Sequence, residues 1–400
     1  MKKEHSPFLI PGIVMIGIAL RAPFTVLPIV LTDIAEGLQV PVSSLGLLTS
    51  LPLIMFALCS IFAPRLAQKM SLEKLFALVL LVLTLGSLIR VFNLPLLYTG
   101  TIILGAAIAV LNVLLPSLIQ ANQPHRVGLL TTLYITSMGL SITILSALAV
   151  PIVQMSSWQG LIWVSTLICL VILLVWLPNV KYSHRLAAKQ QGKQEQGALL
   201  KNPRVWALIL FGGLQSLLFY TSMTWLPTLG QQAGLSTDTT GLLAAVFSLI
   251  SLPFSMTIPS LTARLKARQR LVMIGLVSAA GLIGITMLFI RTDSFAYWLI
   301  LNLLIGMSVS ALFPYLMVTF SLKTSTPAQT AQLSGLAQTG GYILAAFGPS
   351  LFGYSFDLFH SWTPAILILL GLTVIMTMSL FFIETKYKFL IIFLYFLKCS

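Results

Sequence analysis

One cation lies deep inside an apolar run. Arg21 interrupts the stretch LIPGIVMIGIALRAPFTVLPIVL, and an apolar span over 9–31 would hold it about twelve residues from one end and about ten from the other. A guanidinium at that depth costs at least about 2.5 kcal/mol on insertion scales, so something must compensate it. No Asp or Glu stands near the middle of any apolar run. What remains is a water-filled cavity, the carbonyls of a helix end, or an anionic or polarised substrate. Substrate binding and a structural arginine bonded to carbonyls are thus the two readings. Thr25 follows by one helical turn, and Pro28 loosens the helix just beyond, so Arg21 and Thr25 would form a donor-rich patch on one face.

Further polar and aromatic side chains fall at helical spacing. In GLQSLLFYTSMTWLP, Gln215 precedes Phe219 by four residues and Ser216 precedes Tyr220 by four. Ser334, Gln338 and Tyr342 recur at i, i+4 and i+8 and share a face. Asn112 is a midspan amide four residues before Pro116, and Tyr134, Met138 and Ser141 make a weaker stripe. Buried amides and phenols in a membrane need partners, which a polar cavity supplies as well as a neighbouring helix does. Each alone fits an interhelical bond as well as a substrate contact. As a set, repeated in the first, seventh and eleventh spans, they favour a polar central cavity. Arg90, near an outer span end, is within snorkelling reach of the headgroups.

Catalysis has no visible machinery. No phosphate-binding loop or HExxH occurs, and His5, His125, His184 and His360 all fall in loops or termini. Cys59, Cys169 and Cys399 form neither a metal-ligand spacing nor a disulfide framework. The chain therefore reads as a non-enzyme with no metal and no cofactor. Proton coupling usually draws on an intramembrane acid, and the nearest candidates are Asp33 and Glu36 at the outer mouth of the first span.

The elements that must position these residues follow from composition. Of 400 residues 58% are apolar and 8% charged, with a mean hydropathy of +0.99. Soluble domains carry about a quarter charged residues. Apolar runs of about 20 residues read as twelve transmembrane helices, six between 9 and 178 and six between 205 and 383, the second over 44–64 and the eighth over 240–262. With the N-terminus inside, cytoplasmic segments hold 20 of the 23 basic residues, which sets both termini in the cytoplasm. The net charge of +14 is then a matter of topology and lipid headgroups, and nucleic acid is excluded as a partner. Trp158, Trp176, Trp206, Trp298 and Trp362 stand at span ends as interfacial anchors. Residues 179–204 read as a cytoplasmic linker between bundles at 1–178 and 205–388, and 389–400 as an apolar tail too short to cross.

Prolines reveal a repeat. Pro28 and Pro227, Pro52 and Pro253, Pro116 and Pro314, and Pro151 and Pro349 are separated by 199, 201, 198 and 198 residues. Four pairs at nearly one offset argue for two six-helix bundles of like design and, with an even number of spans each, of like orientation. Gly105, Ala106, Ala107 and Ala109 in span 4, and Gly340, Gly341, Ala345 and Gly348 in span 11, permit close helix packing.

The stretches LRAPFT (20–25), GLLTSLPLIMFAL (46–58), IAVLNVLLPSLI (108–119), GLQSLLFY with WLP (213–227) and LSGLAQTGGYILAAFGPSLFG (333–353) resemble the cyanate permease and 2-nitroimidazole exporter family of the major facilitator superfamily. The likeness covers all twelve spans and is closer to the nitroimidazole-exporter branch, through LRAPFT and APRLAQKMSLEKLF. It implies an all-α, twelve-helix fold with a midplane site between bundles that rock in alternating access. It also implies small, often anionic or anion-like substrates, in agreement with Arg21. The superfamily loop between spans 2 and 3 resembles G-x-L-A-D-R-x-G-R-R/K. Here Gln68 replaces the acid, Ser71 the glycine, and Glu73 occupies a basic position, so the gating ion pair built on that acid is not expected in its usual form, and a pair of Glu73 with a nearby basic residue is the alternative.

The expected function is secondary active transport of a small anion or anion-like compound, cyanate-like or nitroimidazole-like, across the inner (plasma) membrane by a protein acting as a monomer in the bilayer. The substrate-binding set is Arg21, Thr25, Asn112, Gln215, Ser216, Phe219, Tyr220, Gln338 and Tyr342, with Asp33, Gln68 and Glu73 in gating or coupling. A proton-coupled multidrug efflux antiporter is the alternative, against which a midplane arginine argues. A receptor of the same fold would need a soluble output domain beyond the short linker.

Overall fold

The computed structural model describes residues 6–25, 27–40, 45, 47–182, 199 and 201–385. These residues are helical almost throughout, with no strand among them. The helices are α1 Leu9–Ala19, α2 Ala22–Thr25, α3 Leu31–Leu38, α4 Leu47–Ser60, α5 Ala63–Lys69, α6 Leu72–Ile89, α7 Leu94–Asn122, α8 Val127–Met155 and α9 Trp158–Trp176. They continue as α10 Pro203–Gln232, α11 Thr237–Leu249, α12 Ser251–Arg264, α13 Ala267–Met287, α14 Phe295–Leu322, α15 Pro327–Phe359 and α16 Thr363–Glu384. Among the described residues, nine helical stretches are long and apolar enough to cross a membrane, and α4 and α5, bent by 54°, make a tenth as one broken span. Most of the 179–204 linker and all of the 389–400 tail lie outside the described residues.

Polar residues start the long helices. Asn93 accepts from the Leu96 amide at 3.0 Å, Ser157 from Gly160 at 3.3 Å, Asn202 from Arg204 at 3.0 Å and Ser236 from Thr239 at 3.2 Å. Each satisfies one amide that a first turn leaves without a carbonyl.

Three expected spans are interrupted, and one rule places each break. Helix α1 ends at Ala19, four residues before Pro23; α4 ends at Ser60, four before Pro64; α11 ends at Leu249, four before Pro253. Proline has no N–H for the carbonyl four residues back, and its ring crowds that carbonyl. The span over 9–31 is therefore not one helix. It runs as α1, the short α2, a 3₁₀ turn over Leu27–Val30 and then α3. Proline alone does not force a break, since Pro52, Pro116, Pro151, Pro227, Pro314 and Pro349 all lie inside helices.

The chain divides into two units, 1–195 with 326–339, and 196–325 with 340–400. In the first unit α7 packs against α4 and α6, α6 against α9, and α1 against α8 and α9. In the second, α14 packs against α12 and α13, α13 against α16, and α10 against α16. Four of these five pairings of the first unit recur in the second, between helices about 200 residues further on.

Small residues set the tightest seams. A Cβ at Gly17 would lie 2.1 Å from Ser137 Oγ and 2.3 Å from the Tyr134 carbonyl, so α1 meets α8 backbone to backbone. A Cβ at Gly213 would lie 2.6 Å from Leu344, and Gly341 faces it on α15. Between lipid-solvated helices such close packing supplies dispersion contacts that hydrophobic burial does not.

The tryptophans correct the anchor expectation. Trp158, Trp176, Trp298 and Trp362 are buried in the protein, and Trp206 is the exposed one of the five. Each buried indole for which a hydrogen bond is seen has a specific acceptor: Trp176 donates to the Glu73 carbonyl at 2.9 Å, Trp298 to the Thr292 carbonyl at 2.8 Å and Trp362 to Gln232 at 2.7 Å. Span-end position alone does not separate an interfacial indole from one that ties helix ends together.

Candidate functional site

Arg21 occupies the first break. It follows the end of α1 and precedes α2, with its own amide donating to the Ile18 carbonyl at 3.2 Å and its carbonyl accepting from Phe24 at 3.2 Å. The expected pairing of Arg21 with Thr25 on one face falls partly outside the described atoms, which do not include the Thr25 side chain. The half-buried guanidinium sits over the Phe24 ring, 5.7 Å from its centroid. Phe24 in turn packs edge-on against the buried Phe56 of α4 at 5.8 Å. Below this platform Ala22, Leu27, Val30 and Ile34 are buried against Leu48, Trp158 and Leu161. Irregular backbone is tolerated at membrane depth where protein surrounds it, and a cation over an aromatic face is held at a defined place.

The first unit also assembles a polar stripe. Gln338, on the part of α15 that belongs to this unit, donates from Nε2 to Ser334 Oγ at 2.8 Å and to the Asn112 carbonyl at 3.4 Å. All three residues are buried. Nearby, Ser117 donates to the Pro327 carbonyl at 2.6 Å, and Thr330 bonds Gln120. Asn112 and Gln338 are thus brought together as their spacing on separate helices could not disclose. Tyr342 is buried on the same helix in the second unit.

In the second unit, Gln215 donates from Nε2 to the Val309 carbonyl of α14 at 3.1 Å, and Ser216 donates to Gln215 Oε1 at 3.3 Å. This is the interhelical bond that competed with substrate contact for the glutamine. Phe219 stacks edge-on with Tyr220 at 5.2 Å and lies 6.3 Å from Phe247. Phe247 then lines a cavity of about 100 Å³ with Ser222, Thr240, Ser248 and Asn302. Ser222, Thr240 and Asn302 were not singled out in the sequence; the available signal was a midspan amide at Asn302, like that at Asn112.

The gating residues separate. Asp33 is half-buried in the first turn of α3 and Gln68 half-buried in α5. Glu73, in the first turn of α6, is buried; its carboxylate accepts from Asn122 Nδ2 at 3.2 Å, and its carbonyl holds the Trp176 indole. The second unit carries a charged cluster that sequence reading missed. Arg270 of α13 donates from Nε and Nη2 to Glu384 of α16 at 3.1–3.2 Å, and from Nη1 to the Leu265 carbonyl at 3.0 Å. Lys323 reaches Glu384 at 3.2 Å and Tyr315 donates to it at 2.5 Å. All four side chains are buried. Arg90 is another correction, since it is buried completely and does not snorkel.

The sequence profile of the Major Facilitator Superfamily matches residues 9–349. The chain is similar to the uncharacterized transporter YycB of Bacillus subtilis (strain 168), 35% identical over 94% of this chain and 93% of that protein. It is also similar to the 2-nitroimidazole transporter of Escherichia coli (strain K12), at 32% over 89% and 90%, and to the cyanate transport protein CynX of the same organism, at 24% over 91% and 94%. Among solved structures, the proton:xylose symporter XylE superposes with a TM-score of 0.77 at 13% identity, over 96% of this chain and 97% of that one. At that identity the likeness speaks for the fold alone.

Proposed function

Since the chain belongs to the Major Facilitator Superfamily and is a multi-pass membrane transporter, we propose that it carries a small anionic or anion-like solute, cyanate-like or nitroimidazole-like, across the inner (plasma) membrane. Twelve helices in two six-helix bundles, with both termini cytoplasmic, would carry it by alternating access as a monomer. The observation that carries this reading is Arg21, a half-buried cation at a proline-placed helix break, steadied over Phe24. A guanidinium offers five fixed donors and a permanent charge, which suits a cyanate-like anion or a polarised nitro group better than a lipophilic cation. The names of the nitroimidazole and cyanate transporters support the same substrate class. Phe219 and Tyr220 supply an aromatic surface that a planar heterocycle could stack on.

The test is thermal unfolding of the purified chain against cyanate, nitrate, short carboxylates, neutral nitroimidazoles and lipophilic cations, with Arg21→Gln beside it. A ligand at 100 times its dissociation constant stabilises the fold by about 2.7 kcal/mol. Stabilisation by anions or nitroimidazoles that Arg21→Gln abolishes, with matching loss of uptake into vesicles, is the expected result. A response confined to lipophilic cations, or one that Arg21→Gln keeps in full, would put the proton-coupled drug antiporter in its place, with Asp33 as the acid to substitute next.

A further inference from the structure

An open furrow of about 730 Å³ lies in the second unit where α10, α15 and α16 meet. Trp206 and Leu210 of α10, Ile343 of α15, and Met378 and Phe382 of α16 line it. Trp206, Ile343, Met378 and Phe382 are all exposed, although each is large and apolar. Gly340 belongs to the same wall, and a Cβ there would lie 2.5 Å from Ile209 Cγ2, so α15 comes close to α10 without a side chain to fill the space.

A cation stands at one end of this furrow. Arg204, in the first turn of α10, donates from Nε to the Phe382 carbonyl at 3.3 Å and from Nη2 to Thr385 Oγ1 at 2.9 Å. Its guanidinium also lies over the Phe382 ring, 4.6 Å from the centroid. These contacts tie it to the end of α16 and leave Nη1 accessible, with no protein acceptor among the described residues. No carboxylate pairs with it there, since Glu384 is taken by Arg270, Lys323 and Tyr315. Exposed Lys201 adds a second positive charge three residues earlier. Leu210 is six residues beyond Arg204, about 9 Å along a helix, so the apolar furrow begins directly below the level of the charge. Trp206, two residues from Arg204, has the place of an indole at the boundary between headgroups and acyl chains.

Charge decides what completes such a site. The apolar segment at 389–397 is flanked by Lys386, Lys388 and Lys398 and would bring cations to Arg204; a second copy of a chain with a net charge of +14 is no better matched. A phosphate above an acyl chain fits both parts at once, because a guanidinium fixed at one edge presents its remaining donors to a phosphate oxygen. We propose that the furrow holds one acyl chain of an anionic phospholipid, with the phosphate bound at Arg204 Nη1 and Lys201 favouring a headgroup without an ammonium. This site is distinct from Arg21 and does not rest on the transported solute.

The experiment places the full chain in phosphatidylcholine vesicles that contain a minor fraction of phosphatidylglycerol brominated on its acyl chains. A second set carries the same fraction of brominated phosphatidylcholine. Bromine quenches indole fluorescence on contact, and the difference between the unaltered chain and Trp206→Phe isolates the Trp206 signal. Trp206 should be quenched more strongly by the brominated phosphatidylglycerol. Arg204→Gln should lower that preference about fivefold, the worth of one basic residue at an anionic surface, and Arg21→Gln should keep it. Ala207→Phe, which fills the furrow beside an intact Arg204, should remove the preference as well. Equal quenching by the two lipids would overturn the proposal, as would a preference that either Arg204→Gln or Ala207→Phe leaves unchanged. No quenching of Trp206 by either lipid would show the furrow filled by protein, the tail or a second copy, and would refute it equally. If Arg204→Gln fails to fold, Ala207→Phe decides alone.

Discussion

Two buried arginines, one in each unit, meet the same physical problem and find different solutions. Arg270 reaches Glu384 through Nε and Nη2 and the Leu265 carbonyl through Nη1, with Lys323 and Tyr315 on the same carboxylate. Among the described residues Arg90 has Ser87 at 3.4 Å and no acceptor for Nε or Nη1. Both stand at helix ends in an interior of low dielectric, where a charge is costly unless it is paired and bonded. The difference is that, among the described residues, one unit sets a carboxylate against its buried arginine while the other encloses its arginine without one.

The comparison breaks most sharply at Glu384. Glu384→Gln leaves Arg270 and Lys323 buried without their shared charge and should destabilise the chain by about 3–5 kcal/mol, read as a fall in the unfolding temperature in detergent. Replacing all three at once, Arg270→Met, Lys323→Met and Glu384→Leu, should cost less than that single change, because no uncompensated charge remains. If the triple variant is the less stable of the two, the cluster contributes more than mutual compensation. Tyr315→Phe comes next: losing one hydrogen bond to a charged group should cost about 1.5–3 kcal/mol, with the fold otherwise intact by circular dichroism.

The smallest effect is expected in the first unit. Glu73 occupies a helix-start position like that of Arg270, 197 residues earlier, and Asn122 stands 201 residues before Lys323. There the partners seen are the Asn122 amide on the carboxylate and the Trp176 indole on the backbone carbonyl. Glu73→Gln keeps an acceptor for Asn122 and should cost about 1 kcal/mol or less. A loss as large as that of Glu384→Gln would show that the two units use charge alike, and the contrast between them would fall.

Much of the scaffold was legible from the chain. Apolar run length announced a helical membrane protein, and the proline offsets announced a repeat with which four recurring helix pairings agree. Arg21 stood out because hydropathy makes one cation in an apolar run conspicuous. The break at Arg21 follows from Pro23, four residues beyond the end of α1, and not from Pro28. The charged cluster was not, because Arg270, Lys323 and Glu384 each sit at a span end, where a charged residue reads as a topology signal or a solvated face. Arg90 at a span end reads as a snorkelling cation for the same reason, and the four buried tryptophans share the span-end positions of lipid anchors.

Local properties set by composition and covalent geometry were therefore fixed by the sequence itself: which segments are apolar, which carbonyls a proline leaves without a donor, and which positions lack a Cβ. Which span-end charges are buried, and whether Gln215 and Gln338 bond a neighbouring helix, depended on packing between segments up to 226 residues apart. Hydropathy is a sum along the chain, whereas the energy of a buried charge or amide depends on atoms within about 3–4 Å in space. Only the tertiary structure could decide that Arg270 has a carboxylate there and Arg90 does not.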